Sequence, residues 1–117
     1  MSDRRNCGLL LHPTSLPSRF GIGDLGPAAH DFVRFLARSG QGLWQVLPLV
    51  PTGYGDSPYQ GLGALANNPL LLSPELLVAE GLVRDGELPG PPGGPGSVDY
   101  GAVIPWKAAL IQLVAER

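Results

Sequence analysis

Little in this sequence is charged, and almost none of it is sulfur. Charged residues make up 15% and the net charge is −2, with no cluster of Lys and Arg. Counterion release, which drives nucleic-acid binding, would therefore be weak, and no nucleic-acid partner is expected. Cys7 is the one cysteine, so no internal disulfide can form. That favours a reducing compartment, and a cytoplasmic protein is the expectation. His12 and His30 have no cysteine or acidic residue at ligand spacing, so no metal site is expected. No apolar run approaches the roughly 20 residues needed to cross a bilayer, so no membrane partner is expected. Asp3, Arg4 and Arg5 are followed only by the short run Leu9 to Leu11, which does not make a signal peptide. Gly21-x-Gly23-x-x-Gly26 superficially fits the dinucleotide pattern, but its first glycine does not directly follow a strand.

What is present reads as one small domain with a modest core. The chain has 117 residues, and 44% of them are hydrophobic. Glycine (17) and proline (13) are frequent, but the excess is local. Gly86 to Gly96 contains five glycines and four prolines, and residues 84–97 read as a Gly/Pro-rich linker or surface excursion.

The order of elements is informative. Gly8 to Leu11 is an apolar run closed by Pro13, which suits a buried strand. A long irregular loop follows to Gly26, and long loops often carry function. Pro27 then suits a first helical position. Ala29, Phe32, Val33 and Leu36 share one helix face, and Gly40 is the expected stop. Leu43 to Leu47 reads as a second strand, apolar enough to be covered on both faces of a parallel sheet. Strand, helix and strand make a right-handed βαβ unit, which places ligands at the C-terminal strand ends. Loops 13–26 and 50–69 both leave from those ends. Ser73, Pro74 and Glu75 open a second helix that ends by Gly81. A last helix is expected from about Pro105 to Glu116; the alternative is an earlier start with Asp99 as cap, which would place a kinking proline inside it.

Gly53-Tyr54-Gly55-Asp56-Ser57-Pro58-Tyr59-Gln60 is the densest set of candidate ligand groups. Aromatic faces stack on the C–H surfaces of pyranose rings, and carboxylate, hydroxyl and amide groups bond sugar hydroxyls. Tyr59 either supports a sugar ring or packs the loop. Asp56 and Ser57 either bond sugar hydroxyls or, for Asp56, hold the loop through an Asx-type bond. Tyr54 and Gln60 are weaker candidates of the same kind. Pro58 stiffens the loop by fixing its own φ and restricting Ser57. Trp44 and His12, at the strands, read more readily as packed or hydrogen-bonded residues than as ligands.

Several blocks together carry a resemblance. They are Gly8-Leu-Leu-Leu-His-Pro-Thr-Ser-Leu-Pro17, Trp44-Gln-Val-Leu-Pro-Leu49, Pro51 to Gln60, Asn68-Pro69 and Val98-Asp-Tyr100. In order and spacing the chain resembles the N-terminal part of the amylomaltases, 4-alpha-glucanotransferases of the alpha-amylase clan. The resemblance implies an α/β fold: the N-terminal portion of a (β/α)8 TIM barrel. Two strands with their intervening helix would be followed by an inserted helical and loop subdomain, all within one barrel domain spanning 1–117. It implies transfer of alpha-1,4-glucan segments between maltodextrins by a retaining mechanism, in which one carboxylate forms a glycosyl-enzyme and another acts as acid, then base. It implies no organic cofactor, and as partners an alpha-1,4-glucan or maltooligosaccharide substrate and the remainder of its own barrel. Tyr59 becomes the platform under the sugar at the cleavage point.

The family's catalytic carboxylates correspond to positions beyond Arg117, so 1–117 is expected to hold no catalytic residue and no activity of its own. Gly61-Leu62-Gly63-Ala64-Leu65 departs from the family's Ser-x-Phe-like stretch, and Ile104 stands roughly where some members have an aromatic residue. A non-catalytic alpha-glucan-binding module using Tyr54 and Tyr59 is the alternative reading.

Overall fold

The computed structural model describes residues 5–51, 67–92 and 96–117. Strand β1 (Gly8–Leu10) and strand β2 (Leu43–Gln45) pair in parallel, with Gly8 opposite Leu43 and Leu10 opposite Gln45. The Leu11 amide donates to the Gln45 carbonyl at 3.0 Å and extends the ladder by one bond. Helix α1 (Pro27–Arg38) makes the crossover, so the expected βαβ unit is present. Gly40, at φ 73°, turns the chain out of α1 through a conformation that side chains with a Cβ rarely adopt.

The second strand is shorter than its apolar run suggested, ending at Gln45 rather than Leu47. It is also not covered on both faces. Leu10 and Leu43 are 57% and 56% exposed, and Val33 and Phe35 of α1 are exposed as well. The pattern Ala29, Phe32, Leu36 does turn inward; Val33, read as part of the same face, does not. The reason is that β1 and β2 pair only with each other among the described residues, and no further layer lies on them. Trp44 joins α1 to the sheet. Its ring meets Phe32 edge-on at 4.9 Å, and its Nε1 donates to the Leu11 carbonyl at 2.7 Å. It is a packing residue, as its strand position suggested.

The core lies elsewhere. Helix α2 (Pro74–Ala79) and helix α3 (Tyr100–Ala115) pack with the 13–26 loop. Phe20, Leu77, Val83, Trp106 and Leu110 form one buried cluster, and Ile22, Leu70 and Val103 form another. Ser73 caps α2 by accepting from the Leu76 amide at 3.3 Å, as its position before Pro74 implied. Asp99 caps α3 by accepting from the Ala102 amide at 3.2 Å. The last helix thus begins at Tyr100, not Pro105. Pro105 sits inside it and removes only the bond that would reach the Gly101 carbonyl, a loss the capped, buried helix accommodates.

Residues 84–92 fold back onto α3. Asp85–Glu87 form a 3-10 turn closed by the Glu87 carboxylate on the Arg84 amide, and Pro92 is buried. The strand layer and the helical core share few buried side chains, and the exposed strand faces lack cover. A urea melt of the isolated 117-residue chain, followed by circular dichroism, is therefore expected to be broad and non-cooperative. A single steep transition would contradict this.

Candidate functional site

Tyr54, Asp56, Ser57, Tyr59 and Gln60 all lie in 52–66, outside the described residues. What the structure places is the frame around them: the two stems, and the cavities beside those stems.

The incoming stem leaves β2 through Pro48 and Val50. His12, half-buried just past β1, reaches across to it. Its Nε2 lies 3.4 Å from the Pro48 carbonyl, and its Nδ1 lies 2.8 Å from the Thr14 hydroxyl. A carbonyl can only accept, so Nε2 carries the proton, and the Thr14 hydroxyl donates to Nδ1. His12 therefore ties the C-terminal ends of the two strands together, and both of its ring nitrogens are engaged.

The outgoing stem begins at Asn67. Asn68 caps the turn Pro69–Leu71, accepting from the Leu70 amide at 3.0 Å. The Leu25 amide donates to the Leu71 carbonyl at 3.1 Å. The Lys107 ammonium donates to the Leu72 carbonyl. Asn67 to Ser73 is thus held by the loop before α1 and by α3.

Lys107 is the functional surprise of the fold. It is 1% exposed, in the middle of α3. Its Nζ lies 3.9 Å from Asp24 Oδ2, an oxygen with no hydrogen-bond partner among the described residues. Asp24 Oδ1 accepts from the Gly26 amide at 2.8 Å, bracing the start of α1. Burial raises the Asp24 carboxyl above its ordinary value, against the opposing pull of the Gly26 amide and the Lys107 charge. Burial lowers Lys107 to about 8, although Asp24 and Glu75 favour its charged form. The pair fastens α3, the α1 entry and the outgoing stem at one point. Sequence reading missed it, although one signal was available: Lys107 interrupts an apolar stretch on a helix face that also carries Val103 and Leu110.

Among the hollows beside the frame, two differ in their chemistry. One, of about 550 Å³, lies between the 13–23 loop and the start of α3, with Thr14, Ser15, Ser18, Ser97 and Tyr100 on its walls. Those hydroxyls suit a polyhydroxylated ligand. The other, of about 420 Å³, begins at Pro51 and runs along Ile104, Ala108 and Ile111 of α3. No group of three or more His, Cys, Asp or Glu side chains is gathered as a metal site would require, among the described residues. No helix among them is long and apolar enough to cross a membrane. His30 is exposed on α1.

Comparison with known proteins gives this frame a context. A family model described as 4-alpha-glucanotransferase matches residues 11–117. A 4-alpha-glucanotransferase from Thermus thermophilus is 56% identical over 103 residues, which are 88% of this chain and 20% of the relative. One from Synechocystis sp. is 50% identical over 113 residues, 96% of this chain and 22% of the relative. Among solved structures, amylomaltase from Streptococcus agalactiae in complex with acarbose matches with a TM-score of 0.89 at 36% identity. That match covers 97% of this chain and 23% of the other. The chain spans about a fifth of the length of the curated relatives it matches. The expected architecture, two parallel strands and helices of the N-terminal portion of a (β/α)8 barrel, is borne out.

Proposed function

Because the chain belongs to the 4-alpha-glucanotransferase family, we propose that it is the N-terminal part of an enzyme moving alpha-1,4-glucan segments between maltodextrins. The family match over residues 11–117 carries this reading. The mechanism is retaining. One carboxylate forms a glycosyl-enzyme, a second protonates the leaving oxygen, and a sugar hydroxyl then takes the place of water as the acceptor. Those carboxylates lie outside 1–117. The role of this segment is to bind and orient glucan, with the rest of its own barrel as its partner. A reducing compartment such as the cytoplasm suits its lone cysteine.

Within the segment, Tyr59 stacks beneath the sugar at the cleavage point. Asp56 and Ser57 bond its hydroxyls, Gln60 supplies a polar contact, and Tyr54 touches glucan at a secondary surface. Support comes from placement: their segment is strung between stems that leave the C-terminal end of β2 and return beneath α3, the end at which barrel enzymes bind substrate.

Maltotriose tests the reading. The full-length protein should convert it to glucose and longer maltodextrins, while the 117-residue chain alone does neither. Hydrolysis without chain lengthening would refute transfer. Tyr59→Ala in the full-length protein should lower kcat/KM for maltotriose on the order of a hundredfold, as loss of one strong transition-state contact does. Tyr59→Phe, which keeps the ring, should retain most of the activity.

A further inference from the structure

The proposed glucan contacts make no use of the hollow between the 13–23 loop and residues 96–100. Its volume, about 550 Å³, falls within the range of small-molecule sites. Two segments build its walls. Thr14, Ser15 and Ser18 stand on one, and Ser97 and Tyr100 on the other. No charged side chain lines it among the described residues. A phosphate or carboxylate would therefore enter without a counter-charge, which is costly away from water. A purely apolar ligand would cover hydroxyl groups without replacing their bonds to water. A neutral ligand rich in hydroxyls meets neither cost.

Two of the hydroxyls are already oriented. The Thr14 hydroxyl donates to His12 Nδ1 at 2.8 Å, so its oxygen is left to accept. Ser18 Oγ accepts from the Phe20 amide at 3.0 Å, so its hydrogen is left to donate. Sugar hydroxyls both donate and accept, and complement the two. The wall that carries them is held in place. The Gly23 amide donates to the Thr14 carbonyl at 3.0 Å, the Leu16 amide donates to the Pro13 carbonyl at 3.1 Å, and Leu16 and Ile22 are buried. Such a wall needs little ordering when ligand arrives. Tyr100 packs against the cluster of Ile22 and Val103 and also borders the hollow, where its ring offers apolar surface to the C–H face of a pyranose. The loop itself leaves the C-terminal end of β1, the end at which barrel enzymes bind substrate. We propose that this hollow binds glucose units of an alpha-glucan chain, with Thr14 accepting from sugar hydroxyls, Ser18 donating to them and Tyr100 lying against a ring. The choice of glucan rests on the glucanotransferase reading above, whereas the match to a neutral polyhydroxylated ligand rests on the walls alone.

The test uses the full-length protein and two variants that crowd the hollow from opposite walls, Ser15→Trp and Ser97→Trp. Both positions are exposed, so the melting temperature should stay within about 2 °C of wild type. On native gels containing amylose the wild type should be retarded, and in each variant the apparent affinity should fall roughly threefold to tenfold, the worth of one or two hydrogen bonds. In the wild type, maltoheptaose should slow hydrogen exchange of amides in 13–23 and 96–103, and in the variants that protection should shrink. Retardation of both variants equal to wild type would overturn the proposal. So would unchanged exchange in 13–23 and 96–103 on adding maltoheptaose, even in a wild type that transfers glucan. Neither readout requires turnover. A wild type that binds amylose and shows the protection but does not transfer would refute the glucanotransferase reading and support the hollow as a glucan site.

Discussion

Lys107→Ala in the full-length protein should lower unfolding free energy by about 3–5 kcal/mol, the cost of leaving a buried charge without its partner. The variant strips Asp24 of the counter-charge of Lys107 and leaves the Leu72 carbonyl without its donor. The double variant Asp24→Asn/Lys107→Met should recover much of the loss. Replacing both members of a buried ion pair with groups of similar size is often neutral, because the desolvation cost disappears with the attraction. Urea unfolding of both proteins beside the wild type would measure this. If the single and double variants are equally destabilised, the ion pair is not what joins these elements.

The same pair carries a pH signature. In the folded chain Lys107 gives up its proton near pH 8, whereas the unfolded residue keeps it to 10.5. Between those values the unfolded chain binds more protons, so the Lys107 contribution to stability rises with pH. Below pH 8 the burial cost of the ammonium is fully present. Asp24 acts with the opposite sign. Its folded carboxyl holds a proton above the ordinary value of 3.8, so its contribution falls as pH rises through that lower window. The groups facing the ammonium are Asp24, Glu75 and the neutral Leu72 carbonyl. Relative to the double variant, the wild type should therefore gain stability from pH 8 to 10. A flat difference across that range would contradict the burial of a charged Lys107.

The βαβ unit was legible because its signals are local. Pro27 at the first helical position, the inward spacing of Ala29, Phe32 and Leu36, and Gly40 at the stop all act within one turn of their effect. The start of α3, open between Pro105 and an Asp99 cap, was not decided by the sequence for the same reason. Pro105 is a strong local breaker, but Asp99 capping and burial of Val103, Trp106 and Leu110 outweigh one missing bond. Exposure of β1 and β2 could not be read from their composition, because apolar strand residues report what they require rather than what lies beside them.

The candidate site divides along the same line. Its proposed glucan contacts stand out in the sequence as a cluster, since Tyr54, Asp56, Ser57, Tyr59 and Gln60 are neighbours and resemble a family block. Its supports were not. Lys107 meets Leu72 and Asp24 only after three elements have folded against one another, and His12 meets Pro48 only once the strands pair. A charged residue within an apolar helical face is the one sequence signal that would have pointed to the first of these.

Trp106→Ala should be as damaging as the loss of Lys107, by about 3–5 kcal/mol, because it removes a large buried side chain at the joint of three segments. The indole packs against Phe20 of the 13–26 loop with ring centroids 5.3 Å apart. Its Nε1 donates to the Gly90 carbonyl at 2.7 Å and lies 3.3 Å from the Pro89 carbonyl. The side chain thus contributes through volume and through one polar bond, and two substitutions separate them. Trp106→Phe keeps much of the ring packing and removes the N–H; water can reach the carbonyl of exposed Gly90, so it should cost about 0.5–1.5 kcal/mol, the net worth of one hydrogen bond. That smaller loss should be local. Leu88 still packs against the cluster around Trp106 and Leu110, whereas Gly90 is exposed, so limited proteolysis should cut Trp106→Phe near Gly90 sooner than wild type while the rest of the protein resists. Trp106→Ala should instead melt globally, because Phe20, Leu77 and Leu110 lose their shared neighbour. Equal melting temperatures for the two variants would mean that the hydrogen bond, not the packing, fastens the excursion to the helix.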